Sequence, residues 1–507
     1  MRAKGALFVL GLVFAPPPVL AEAPLSAIDW LSDSVAKPGE AAPIPVPDAI
    51  GGPAPRPIVV TPLDKPSGDA AGLLSPGITG LPRDLWGPAS AEDAVRRIDA
   101  VPRDLSPALA DALTTVLLAE TDAPGGGGDG ESLLLARIDR LLEMGALDRA
   151  LALLERAGVD TPARFRRYFD VALLKGREQS ACDILHESPG IAPTYPARIF
   201  CLARRGDWNA AAVTLETANT LGILTAEEDL LLARFLDPDI LDDPETEAEP
   251  PTPLTFRLRE AIGEPLPTTA LPLAFAWADL RPTRGWKAQI EAAERLARRD
   301  ALSPNQLFGL YLRQRPSASG GVWNRAEAAH ALDRAIAARD ADAVAEALPV
   351  AWETFRQIGL EYALARQYGA ALAALPLDGQ AGRIALTLAL LSPEFGELTQ
   401  VGRSSDPRER FILAVAQGVP DTAVATDAKS AAVRDGLLSE TPPPSLDRLL
   451  QDGRVGEALL RAITLFAEGA SGDLDGVAQA IATLRALKLD ETAQRAALEL
   501  LLQDGIG

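Results

Sequence analysis

At 507 residues the chain is too long for one compact core of ordinary size, so an extended repeat array or several domains is expected. Apolar residues make up 47% of it but aromatics only 5%, which favours closely packed Ala-, Leu- and Val-rich helices and argues against a large β-sheet. With 49 Lys and Arg against 70 Asp and Glu, the formal charge of -21 speaks against a nucleic-acid surface and against adhesion to anionic lipid.

The chain starts Met1-Arg2-Ala3-Lys4, followed by an apolar run over residues 5–15, prolines at 16–18, and Val19-Leu20-Ala21-Glu22-Ala23. A positive start, a short apolar stretch and small residues at a cut site are the parts of a secretory signal, with cleavage expected after Ala21 or Ala23. No later stretch reaches the roughly 18 uninterrupted apolar residues of a membrane helix. No Cys stands near the cut site for lipid attachment, and the Ala-, Arg- and Pro-rich composition points to the periplasm.

Residues 22–80 are crowded with prolines, Ala, Gly and Ser and are expected to form a disordered or polyproline-like arm. Helical periodicity follows, with Leu133, Leu134, Ile138, Leu141 and Leu142 recurring three and four apart. Breaks at 124–130, 237–253 and 441–444 divide it, giving expected repeat segments at 81–236, 254–440 and 445–507.

A repeat signal runs through the first segment. Leu142-Glu143-Met144-Gly145 leads to Ala150, Leu173-Leu174-Lys175-Gly176 to Ala181, and Ala203-Arg204-Arg205-Gly206 to Ala211. The glycines stand 31 and 30 residues apart. A Gly lets the chain leave a helix through a left-handed conformation, and a small Ala lets the next helix pack closely on the first. Looser echoes occur from Asp340 to Ala345, Gly369 to Ala374 and Gly453 to Ala458. On these residues the chain resembles the tetratricopeptide and related helical-repeat proteins, with a period shorter than the standard 34 residues and few of the usual aromatics. The resemblance implies an all-α fold, a superhelical α-solenoid of antiparallel helix pairs with a concave face. At the level of architecture alone, the chain is also similar to the superhelical domains of periplasmic cell-wall enzymes.

Cys182 and Cys201 are the only cysteines. With a turn centred near residues 188–193 they would face each other across a helical hairpin, which in an oxidising compartment reads as a disulfide. Two other readings stay open: a pair of buried thiols, or a zinc site in which His186, four residues from Cys182, joins both sulfurs. The other histidine, His330, lies in an amphipathic helix without a neighbouring nucleophile. Gly125, Gly127 and Gly130 match a dinucleotide fingerprint literally, but a helix and a Pro precede them rather than a strand, so they read as linker. The acidic run 237–249 lacks the Gly and closing Glu of a calcium loop. Glu131-Ser132 and Glu187-Ser188 lack the Gly- and Gln-containing surroundings of a lytic transglycosylase acid.

One basic, flexible stretch stands out in the acidic chain, residues 313–325, and Arg313, Arg315, Trp323 and Arg325 form its candidate partner-binding patch. The alternative is a Trp tucked into an adjacent groove. The expectation is a non-catalytic periplasmic scaffold or adaptor for an envelope protein or peptide, with no cofactor, no metal and no nucleic-acid partner. The competing expectations are an envelope enzyme or enzyme subunit acting on peptidoglycan, and an assembly factor of a motility or secretion apparatus.

Overall fold

A computed structural model describes residues 67–240, 250–396 and 405–503. These residues form 24 α-helices and five short 3-10 turns. No strand occurs among them; extended pairing is limited to one isolated bridge between Leu74 and Ala119. The fold is an all-α solenoid of antiparallel pairs. Its clearest repeats pair Ser132–Glu143 with Leu147–Ala157, Pro162–Lys175 with Glu178–Glu187, and Tyr195–Arg204 with Trp208–Thr220.

The glycine and alanine positions explain these pairs. Gly145, Gly176 and Gly206 have φ of 75°, 70° and 88°, a region that any side chain would strain. The amide after each donates back five residues, from Ala146 to the Leu141 carbonyl at 2.8 Å, Arg177 to Ala172 at 2.7 Å and Asp207 to Leu202 at 3.0 Å. The first helix of each pair thus ends in the same helix-terminating motif. Ala150, Ala181 and Ala211, each in the second helix of its pair, are completely buried. Gly453 and Ala458 repeat the arrangement. The other two echoes differ: Gly369 lies inside the helix Glu361–Ala373, where a Cβ would come 2.8 Å from the Leu388 carbonyl, and Arg339 makes the exit before Asp340.

Several boundaries also differ from the sequence reading. The expected signal sequence and the arm up to residue 66 lie outside the described residues. Residues 67–80, assigned to that arm, are folded. Asp69 is buried and accepts the Leu134 amide at 2.9 Å near the start of the helix Ser132–Glu143. From the same helix the fully buried Arg137 donates to the carbonyls of Ala71, Leu117 and Ala119 at 2.7 to 2.8 Å and of Asp69 at 3.3 Å. One guanidinium therefore satisfies four carbonyls that helix and sheet ladders leave unpaired. The glycine run is not a free linker either, because it packs along residues 87–91, with the Gly125 and Gly126 amides donating to the Gly87 and Ala89 carbonyls.

The array is continuous across the acidic break, whose residues 241–249 lie outside the described set. Helices Ala226–Leu236 and Pro253–Ala261 pack on each other, and Arg259 reaches Glu227 at 2.6 Å. Pro443 and Pro444 begin the helix Pro444–Gln451 rather than detaching the last segment. That segment returns to the start of the array. The helix Val455–Gly469 packs on Ala91–Asp99 and Pro107–Leu118, and Asp490–Leu502 packs on Pro107–Leu118. The Gly456 amide donates to the Leu85 carbonyl at 2.7 Å, and a Cβ at Gly456 would sit 3.0 Å from the buried Trp86 ring. The two ends of the solenoid therefore meet. None of the helices among the described residues is long and apolar enough to cross a membrane.

Replacing Arg137 with Leu leaves four carbonyls without a donor, at roughly 1–3 kcal/mol for each group that water cannot reach. Denaturant unfolding of Arg137→Leu is expected to show a loss of at least about 3 kcal/mol relative to wild type.

Candidate functional site

Cys182 and Cys201 form a disulfide joining Glu178–Glu187 to Tyr195–Arg204, with Cα atoms 5.1 Å apart and a 3-10 turn, Pro189–Ile191, between the helices. Both sulfurs are committed to that bond, so neither is the thiolate a zinc site needs, and His186 lies exposed on the hairpin. Closing a loop of 19 residues contributes on the order of 3 kcal/mol through the unfolded state.

The four residues of the basic stretch separate into two groups. Trp323 is half-buried against Trp286, with ring centroids 4.9 Å apart. Arg325 makes a two-pronged bond to the buried carboxylate of Glu294 at 2.6 and 2.7 Å, and the Tyr311 hydroxyl donates to the same carboxylate at 2.6 Å. These two side chains fasten Val322–Ala338 to Trp286–Ala297, and only Arg313 and Arg315 lie exposed in solvent. His330 approaches the Gln314 carbonyl at 3.1 Å, a packing role. Glu131 is tied to Thr161 at 2.6 Å and Arg164 at 2.8 Å.

The surface that does stand out lies on Trp208–Thr220, which periodicity alone gave no reason to single out. This helix buries only a narrow stripe, Ala211, Leu215 and Ala218. Its outer face carries Ala210, Val213, Thr217, Thr220 and then Leu221, at the spacing that places them on one side of a helix. Val213 is 64% and Leu221 59% exposed. The Thr217 and Thr220 hydroxyls donate to the helix's own carbonyls of Val213 and Glu216 at 2.7 and 2.9 Å. Their polar atoms are thereby satisfied locally, so the face behaves as more apolar than its composition suggests. Glu216 is the one charged residue in the helix.

A second cluster holds the junction of the array's ends. Asp111, on Pro107–Leu118, lies 2.5 Å from Arg366 and 2.8 Å from Arg495, while Arg366 also reaches Asp300 at 2.5 Å. Burial opposes ionisation of Asp111, but Arg366 and Arg495 outweigh it and hold the carboxyl below the usual range. At Asp300 burial prevails over Arg366 and pushes the pKa up to about 6. Glu499, on Asp490–Leu502, accepts the Ala108 amide at 2.9 and 3.0 Å in the first turn of Pro107–Leu118, and burial pushes its pKa up to about 7.

No known protein family, curated protein or solved structure matches this chain.

Glu499 and Asp300 bind protons more tightly folded than unfolded, so their contribution is fully present below about pH 4 and is lost as pH rises through 6 and 7. Asp111 acts in the opposite sense, its contribution being lost only as the solution becomes strongly acidic. Glu499→Gln keeps an acceptor for the Ala108 amide but cannot ionise. Relative to wild type it is expected to be equally stable near pH 4 and more stable at pH 8, by up to about 3 kcal/mol, as measured by denaturant unfolding across that range.

Proposed function

We propose that this protein is a non-catalytic adaptor of the periplasm that holds a partner protein on the outer face of Trp208–Thr220. The observation carrying this reading is the uncharged face of Ala210, Val213, Thr217, Thr220 and Leu221, whose threonine hydroxyls are turned back onto the helix. In a chain with 23% charged residues, such a face has no role in keeping the array dissolved. It offers anchors in the i, i+3, i+7 order by which one helix receives another, so the fitting partner presents an apolar helix. The disulfide fixes the hairpin immediately before this face and supports an oxidising compartment, as does the signal-like start of the sequence.

A photo-crosslinking amino acid at Val213, compared in intact cells with one at the charged, exposed Glu92, tests the proposal. The adaptor reading predicts one dominant heterologous adduct from position 213, absent from position 92 and lost when Leu221 is changed to Glu. An adduct containing only a second copy of this chain, or equal yields from both positions, would contradict it.

A further inference from the structure

Beside the junction of the array's ends, elements from its beginning and middle form a partly open cavity of about 210 Å³. It lies between the start of Pro107–Leu118, the end of Ser132–Glu143, the turn after Trp286–Ala297 and the start of Glu361–Ala373. It opens into a wider cleft of about 760 Å³ that reaches Phe466 and Leu500 near the end of the chain. The two spaces share Leu105, Leu273, Arg298 and Tyr362. At about 30 Å³ per water, the inner cavity has room for roughly seven waters or a molecule of similar heavy-atom count.

The charge around this cavity is opposite to that of the whole protein. Five arginines line it against two carboxylates, in a chain whose formal charge is -21. Most of the five are occupied: Arg103 and Arg140 both hold Glu143, Arg299 holds Asp104, and Arg366 holds Asp300. Arg298 is the exception. Its Nε donates to the Glu294 carbonyl of its own helix at 3.3 Å, and it has no carboxylate at ion-pair distance among the described residues. Tyr362, which lines the same two spaces, has a hydroxyl without a hydrogen-bond partner among the described residues. Burial, with Glu499 and Glu361 adding to it, pushes the Tyr362 hydroxyl well above its usual pKa, so it is a donor at any physiological pH. The remaining wall is largely apolar, with Leu105, Met144, Leu273 and Leu302 facing the space.

An arginine after the last turn of a helix also complements the helix dipole, and that alone would explain Arg298 as a solvated surface cation. It does not explain why the arginine, a free phenol and an apolar wall line one cavity. Walls of apolar side chains with a few convergent polar groups are the usual make-up of a small-molecule site. We propose that this cavity binds a small organic carboxylate, with its anionic group between the Arg298 guanidinium and the Tyr362 hydroxyl and a short aliphatic body against Leu105, Leu273 and Met144. The position gives binding a structural consequence. The ligand would touch elements from the beginning and the middle of the array at once, and so favour the state in which those elements are joined. This site is independent of the face on Trp208–Thr220, and either can fail without the other.

The test is calorimetric titration of the full chain with hexanoate, using acetate and 1-hexanol as controls that each lack one feature of the ligand. Hexanoate is expected to bind at one site in the millimolar range or tighter and to raise Tm, with both controls at least about tenfold weaker. Arg298→Gln should weaken hexanoate binding about tenfold or more, and Tyr362→Phe several-fold, while the ligand-free Tm of each stays at the wild-type value because neither group holds a partner element. Lys287→Ala, an exposed change on the same helix, should leave binding intact. The proposal is overturned by absence of saturable hexanoate binding, by hexanol binding as well as hexanoate, or by an Arg298→Gln protein that binds like wild type.

Discussion

Asp111 is held by Arg366 and Arg495, two cations that stand hundreds of residues from it in the sequence, and this small electrostatic knot decides what kind of solenoid the chain becomes. Stacked helix pairs have no inherent limit, and each end of a stack exposes an apolar face that must be covered. Here the ends cover each other. Apolar packing supplies most of the stabilisation, through Trp86 against Gly456 and through Leu498, Leu500 and Leu501 in the last helix. The charged contacts, Asp111 with its arginines, Glu457 with Arg97 at 2.9 Å, and Glu499 at the start of Pro107–Leu118, fix register, because a shifted closure would strand a buried charge.

The local part of the architecture was legible in the sequence. Gly145, Gly176 and Gly206 each end a helix in a left-handed residue, and Ala150, Ala181 and Ala211 each lie buried in the helix that follows, because both requirements act within one repeat. The disulfide was legible for the same reason, as a hairpin of known turn position brings Cys182 and Cys201 together. What composition and periodicity did not convey is anything depending on distant pairs. Residues 67–80 look like the rest of a proline-rich arm until Arg137 is seen to gather their carbonyls. The glycine run looks like a linker until residues 87–91 are seen to press against it.

The candidate site was less legible than the fold. Trp323 and Arg325 attract attention as an aromatic and a cation in a flexible stretch, yet Glu294 and Trp286 take them up. Sequence cannot distinguish an anchor for a partner from an anchor for the next helix, since both use the same side chains. The face on Trp208–Thr220 carries the opposite lesson. Its threonines count as polar in any pattern, and only the hydroxyl bonds to Val213 and Glu216 reveal a surface without free polar groups. Arg298 was likewise hidden among many arginines, and what singles it out is that the other four arginines of the cavity found carboxylates.

Meeting of the two ends is the contact on which the proton-linked stability of Glu499 and the register of closure both rest. It is tested most directly by spin labels at Glu92 and Asp452, both exposed, one beside each partner of the junction. Pulsed dipolar spectroscopy on the full chain should give a single narrow distribution at the short end of the measurable range. A broad distribution centred at the length of an extended helical array would contradict the account.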